Sequence, residues 1–263
     1  MTGSDPARTD PLRPDVVRWW GHSMASIELS GTQLVTDPLL RRWIGPLRWY
    51  GPLPPRANPR PVDAVLVSHL HRDHLDLPSL ASFDAGTTFV VPLGAGRLVA
   101  AAVRGTVVEM AAGDTLTIGS VTVRAVPAQH PASRDALRHR LRAQPIGYLL
   151  SADRTVYFAG DTARFDSMSH LHETAIDLAL IPVGGWGLTH GPGHMDAAEA
   201  TEALRLIKPR LAVPIHWGSL RVPLLWRTRA HLYTEPGPQL ARSAPSIPDT
   251  TVILADHGTP IPL

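Results

Sequence analysis

The stretch VLVSHLHRDHLD (Val65–Asp76) sets an apolar run directly against three histidines and two aspartates packed into the eight residues His69–Asp76. The run DAVLVSH (63–69) is continuously apolar before its polar end, the pattern of a strand buried on both faces. His69 and His71 are two residues apart, so a turn at the strand end brings both imidazoles to one point. Asp73 and His74 are adjacent, so their side chains are expected to diverge, which points to two neighbouring metal ions rather than one. Neutral imidazole and carboxylate are ligands that suit Zn²⁺, Mn²⁺ or Fe²⁺. A polar loop with backbone-bonded side chains explains one such histidine. It does not explain three histidines and an aspartate within the six residues His69–His74.

Two ions need more ligands than one loop supplies. The chain offers them at similar places, where strands are expected to end: at His130 in VPAQH, at Asp161 after Gly160 in YFAGDT, and at His216 in VPIHWG. Each is a ligand-type side chain at the tip of an apolar strand, and strand ends are where layered α/β proteins build their sites. A glycine at 160 lets the backbone turn tightly before Asp161. A lone strand-end histidine is usually structural, but one bland explanation would have to cover all four loops.

The rest of the chain bounds the answer. It has 263 residues, 44% hydrophobic and 18% charged, enough apolar material for a sizeable core. The net charge is only +2, which does not favour a nucleic-acid partner. With no cysteine, thiolate zinc sites, Fe–S clusters, disulfides and a cysteine nucleophile are excluded. The opening MTGSDPARTDPLRPD lacks the apolar centre of a signal peptide, and no run reaches about 18 consecutive apolar residues. A cytoplasmic protein without a transmembrane segment is therefore expected. Residues 1–14 read as a flexible tail and 15–263 as a single domain.

Short strand-like runs recur from Val16 to Ala255, broken by glycines, with one clear helix among them. In MDAAEATEALRLIKP, Asp196 is the N-cap, Glu199 follows three residues on, and Pro209 is the stop. The segment 37–61 is so rich in proline that an ordered loop without regular structure is expected. Strand-rich halves with interspersed helices predict sheets packed face to face with helices outside.

Taken together, RWWGHSMASIEL, LVTDPLL, VDAVLVSHLHRDHLD, VPAQH, YFAGDT, DLALIPVG, GHMDAAEA and PIHWG resemble the metallo-β-lactamase superfamily. The likeness covers roughly residues 16–220, and within the superfamily the chain resembles the branch that includes ascorbate-6-phosphate lactonase and N-acyl-phosphatidylethanolamine-hydrolysing phospholipase D. The resemblance implies an α/β fold, a four-layer αββα sandwich of two mixed sheets. It implies two divalent ions, zinc first, with manganese or iron(II) as alternatives. His69, His71 and His130 would hold the first ion, Asp73, His74 and His216 the second, and Asp161 would bridge them. It also implies hydrolysis by a bridging hydroxide, with Asp73 orienting the nucleophile and His194 contacting substrate or assisting the leaving group.

Other candidates are softer. His22, in WWGHS, is placed as a substrate-side or supporting residue, and His190 ranks below His194. Arg134 and Arg138, in SRDALRHRLRAQ after His130, are candidate phosphate binders. The stretch RRWIGPLRWYGPLPPR (41–56) sets aromatics beside arginines, which suits an amphipathic ligand, peripheral membrane contact or a partner protein. The leading reading is a hydrolase of a phosphodiester, a phosphorylated small molecule or a phospholipid. A lactonase or other acyl hydrolase on the same ions is the second reading, and a metal-binding scaffold without turnover is the third. A nuclease fits less well, for want of a broad basic surface, and nothing in the sequence sets an oligomeric state.

Overall fold

A computed structural model describes residues 14–54, 61–134, 141–185 and 191–263. The tail expected over 1–14 lies, apart from Pro14, outside the described residues. In chain order the first half forms β1 (Val16–Gly21), β2 (Met24–Leu29), β3 (Thr32–Thr36), β4 (Trp43–Ile44), β5 (Leu47–Trp49), β6 (Ala64–Leu66), β7 (Thr88–Pro92) and β8 (Thr106–Met110). Two short helices, α1 (Leu77–Leu80) and α2 (Gly96–Ala100), flank β7 in sequence. The second half forms β9 (Thr115–Ile118), β10 (Val121–Pro127), β11 (Ile146–Ser151), β12 (Thr155–Phe158), β13 (Leu178–Pro182), β14 (Leu211–Ile215) and β15 (Leu220–Arg221). Helix α3 (Ala197–Ile207) precedes β14. After β15 come α4 (Pro223–Thr228), α5 (His231–Thr234), α6 (Pro236–Ser243), β16 (Thr251–Val252) and β17 (Pro260–Pro262).

Two seven-stranded mixed sheets result, in the orders β17-β1-β2-β3-β6-β7-β8 and β16-β14-β13-β12-β11-β10-β9. Side chains alternate between faces, so each central strand feeds two layers. Val156 and Phe158 of β12 enter the core between the sheets, with Ile27, Leu34, Leu66 and Val213. Tyr157 points outward, with Ala179 and Ile181, onto Ala200, Leu204 and Ile207 of α3 and Leu240 of α6. On the other outer face, Val35, Val65 and Phe89 pack on Leu75, Leu80 and Val99. This is the expected four-layer αββα sandwich. Truncating a side chain such as Leu204 would cost about 2–5 kcal/mol.

Helix α3 starts as its sequence requires. The Asp196 carboxylate accepts from the Glu199 amide, and the Glu199 side chain accepts from the Asp196 amide, completing a capping box. Removing such a cap costs about 1 kcal/mol.

The proline-rich segment corrects one expectation. Among the described residues its prolines fall at turns and flanks, so Trp43–Ile44 and Leu47–Trp49 remain free to pair around Gly45–Pro46. β5 also pairs with β15, giving a three-stranded sheet whose inner face buries Ile44, Leu47, Trp49 and Leu220. The C-terminal segment supplies an edge strand to each large sheet. β17 pairs antiparallel with β1, where the edge position tolerates Pro260 and Pro262.

Strand direction decides where the site falls. β1, β2 and β3 alternate in direction, and β3 pairs parallel with β6. The C-terminal ends of β1, β3 and β6 therefore share one edge, and they deliver His22, Asp37 and His69. β10 and β12 flank β11 antiparallel, and β12, β13 and β14 are parallel. Their ends deliver His130, Asp161, His194 and His216. The Ile146 amide donates to the Ser68 carbonyl at 3.0 Å, joining the two edges.

Candidate metal centre

Residues 71–75 form a turn in which the His74 and Leu75 amides donate to the His71 carbonyl at 3.1 and 2.8 Å. That turn corrects the expectation that Asp73 and His74 diverge: Asp73 Oδ2 and His74 Nε2 lie 3.7 Å apart. Both face the same point as His216 and His22, and the four form one buried cluster. His69, His71 and His130 form a second cluster. There His71 Nδ1 lies 3.1 Å from His69 Nε2 and 2.9 Å from His130 Nε2.

Asp161 stands between the clusters. Its Oδ2 is 3.0 Å from His216 Nε2, 3.1 Å from His74 Nε2, 3.4 Å from His194 Nε2 and 3.9 Å from His69 Nε2. Gly160 makes this possible with φ of 62°, and a Cβ there would sit 2.5 Å from the Ser68 Cβ. His216 also takes a positive φ of 64°, anchored by its amide donating to the His22 carbonyl at 2.8 Å.

The hydrogen bonds around the rings assign their tautomers. His130 Nδ1 lies 2.7 Å from the Gly193 carbonyl, which can only accept, so Nδ1 carries the proton. His74 Nδ1 donates likewise to Asp37 Oδ2 at 2.7 Å. The Ser68 hydroxyl gives its one proton to Asp37 at 2.6 Å and so accepts from His69 Nδ1 at 3.0 Å. In all three rings Nε2 therefore points inward, with its lone pair free in His69 and His130. Nitrogens crowded to about 3 Å with converging lone pairs repel one another unless a cation lies between them. Tetrahedral ligands about 2.05 Å from zinc stand about 3.3 Å apart, close to this spacing. Four inward or buried atoms, His74 Nε2, His216 Nε2, Asp161 Oδ1 and His194 Nδ1, also have no hydrogen-bond partner. The residues present thus fit divalent cations.

Electrostatics agree. Burial pushes the His22 and His130 imidazoles down to about 4, so both are neutral. Burial also holds His69 well below its ordinary value. Burial would raise the Asp73 carboxyl, but His74 and His22 beside it hold it well below the usual range. Asp161 behaves the same way beside His216 and His74.

Asp37 was missed by sequence reasoning. LVTDPLL carries it in plain view, but an aspartate before a proline reads as a turn residue. It is fully buried, and besides His74 and Ser68 Oγ it accepts the Ser68 amide at 2.7 Å. This is the carboxylate–histidine support typical of metal sites. His22 takes φ of 50°, and its Nε2 lies 3.1 Å from Asp73 Oδ2. Arg134 donates to the Leu70 and Leu75 carbonyls at 2.9 and 3.2 Å, bracing the ligand-bearing turn. Arg138 and His190 lie outside the described residues.

Comparison with known proteins converges on one family. The family described as "Beta-lactamase superfamily domain" matches residues 32–217. A UPF0173 metal-dependent hydrolase of Opitutus terrae is 34% identical over 205 residues, 76% of this chain and 84% of that protein. An N-acyl-phosphatidylethanolamine-hydrolyzing phospholipase D of Caenorhabditis elegans is 28% identical over 269 residues, 91% of this chain and 73% of that protein. An uncharacterized protein of Mycobacterium tuberculosis is 30% identical over 224 residues, and the chain spans 59% of its length. Among solved structures, the metallo hydrolase Igni18 of Ignicoccus hospitalis superposes with a TM-score of 0.72 at 20% identity, covering 95% of this chain and 99% of its own. The diiron β-hydroxylase CmlA of Streptomyces venezuelae reaches 0.71 at 20% identity, covering 95% of this chain and 54% of its own. These two establish the fold and, by their different chemistries, that the fold alone does not select a reaction.

Proposed function

The chain belongs to the metallo-β-lactamase superfamily, and on that footing we propose that it is a metal-dependent hydrolase with a dinuclear centre. The single observation that carries the reading is that Asp161 stands between two clusters of converging histidine nitrogens. His69, His71 and His130 would hold one ion, and Asp73, His74 and His216 the other. Zinc suits this nitrogen and oxygen set, and manganese or iron(II) accepts the same ligands. Bound there, the ions would supply an activated water at neutral pH and stabilise charge on the substrate oxygen.

The chain's own residues do the rest. Asp73 stays ionised, and it orients the attacking water through the oxygen that faces the second site. His22 holds that carboxylate, its Nε2 3.1 Å from Asp73 Oδ2. His194, partly exposed, stands with its Nε2 3.4 Å from Asp161 Oδ2 and delivers a proton to the leaving group. The substrate class we propose is a phosphodiester, a phosphorylated small molecule or a phospholipid. The C. elegans relative, a phospholipase D by name, supports this choice.

The test is metal content by elemental analysis, with bis-p-nitrophenyl phosphate hydrolysis measured on wild type and Asp73→Ala. About two ions per chain and loss of turnover in the variant are expected. Two ions without phosphodiester turnover would move the reading to an acyl hydrolase or a scaffold. No ion retained after reconstitution with Zn²⁺ or Mn²⁺ would sink it.

A further inference from the structure

The three-stranded sheet presents an outer face that the metal centre does not use. Trp43 is register-paired with Arg48, and Arg48 with Arg221, so one row across all three strands reads Trp, Arg, Arg. Two like charges directly opposite one another weaken a sheet. Here both are taken up by aromatic faces. The Arg48 guanidinium lies 5.6 Å from the Trp43 ring centre and 5.3 Å from that of Tyr50. Arg221 lies 4.6 Å from Tyr50 and 3.6 Å from Trp226. The result is a continuous ladder, Trp43–Arg48–Tyr50–Arg221–Trp226, with each cation held between rings.

The ladder is basic and apolar at once. Segments 41–54 and 220–230 together carry six arginines and no Asp or Glu. Arg41 is bound to Asp76, whereas Arg48 and Arg221 have no carboxylate partner among the described residues. Trp43 at one end is 51% exposed, and Leu224, on the same short helix as Trp226 at the other, is 75% exposed; they are two of the four large hydrophobic residues left exposed among the described residues. Isolated exposed apolar residues are ordinary, but two framing an unneutralised arginine row are not.

From this juxtaposition we propose that the β4–β5 hairpin, β15 and α4 form a docking surface for an anionic lipid bilayer. Rings of Trp and Tyr settle at the headgroup level, arginines meet lipid phosphates, and Leu224 and Trp43 enter the acyl boundary. A second copy of the chain would bring the same positive face and is disfavoured by charge. The surface also adjoins the metal centre. The Tyr50 amide donates to the Ser219 carbonyl at 2.8 Å, and the Ser219 hydroxyl accepts the His22 amide at 2.8 Å. A cavity of about 460 Å³, lined by Tyr50, Arg221, His257 and Trp217, opens at the foot of the ladder. Trp217 is the residue after His216. A docked chain would thus turn the side carrying His216 toward the lipid. The inference stands on the surface alone and does not depend on which bond the centre cleaves.

The experiment is co-sedimentation of the full chain with phosphatidylcholine vesicles, with and without phosphatidylglycerol. Trp43→Ser, Leu224→Ser, Arg48→Glu and Arg124→Glu are run beside it, the last on an exposed arginine of the second sheet. Binding only to the anionic vesicles, weakening with salt, is expected. Arg48→Glu should weaken it by roughly fivefold or more, given the worth of one basic residue at such a surface. Each apolar variant should also bind more weakly, and Arg124→Glu should leave binding unchanged. Equal binding to both vesicles, an equal loss in Arg124→Glu, or preference for a single-stranded oligonucleotide over vesicles would each overturn the proposal.

Discussion

Asp37 Oδ2 accepts the Nδ1 proton of His74 at 2.7 Å, with neither side chain exposed to solvent. The same carboxylate takes both the amide and the hydroxyl of Ser68, and the Ser68 hydroxyl in turn orients His69. One buried anion thus sets the tautomer of a ring in each ligand cluster. Asp37→Asn keeps the volume but replaces one accepting oxygen with a donor that faces donors. We expect metal affinity to fall by about 10–100-fold, read by competition with a chromogenic chelator. Unchanged affinity would remove Asp37 from the site's support.

His22 gives a second test. Its backbone is held in a left-handed conformation by the Ser219 hydroxyl, and its ring is neutral and 3.1 Å from Asp73. With His22→Ala, Asp73 loses the imidazole that stands 3.1 Å from its Oδ2, and with it its orientation. Bound metal should drop from about two ions toward one, the site of His69, His71 and His130 being retained. A variant that still holds two ions at wild-type affinity would refute the positioning role.

Metal uptake should release protons. Burial alone would push His74 down, but Asp161 and Asp73 beside it hold it well above its ordinary value, so the metal-free ring is protonated at neutral pH. His22 and His130, lowered to about 4, are already neutral there. A cation must displace the His74 proton, so binding weakens as pH falls. Titration calorimetry at pH 7 in buffers of different ionisation heat should show about one proton released per chain. Heats that do not depend on the buffer would contradict this.

Gly160→Ala separates conformational strain from collision. The position has φ of 62°, and an added Cβ would stand 2.5 Å from that of Ser68, next to Asp161. Gly113→Ala, at φ of 100° with no atom within 4 Å of its Cβ, meets strain alone. Thermal unfolding should show Gly160→Ala to be the more destabilising by roughly 1–3 kcal/mol, with reduced metal content besides. Equal effects would mean that Ser68 yields freely.

Much of the site was legible because four of the candidate ligands are polar residues closing apolar runs. His69, His130, Asp161 and His216 stand out for that reason, and the Asp196–Glu199 capping box places α3 just as directly. Asp37 stayed hidden because its partners, Ser68 and His74, arrive on another strand. The β4–β5 hairpin was hidden by prolines that turned out to flank strands rather than interrupt them. Its outer row depends on β15, a pairing between segments far apart in the chain.

The residue types at the strand tips, and hence an N/O metal chemistry without thiolates, follow from the sequence by itself. So does the family, because the ligand spacing from His69 to His74 is a local property. Only the tertiary structure decided that strand ends of both large sheets come together, which ring nitrogen His69, His74 and His130 each turn inward, and that Asp73 and His74 converge. Local spacing cannot carry that information. Strand direction is set by pairing between distant segments, and a histidine's tautomer is set by whichever acceptor the neighbouring strand brings to its outer nitrogen.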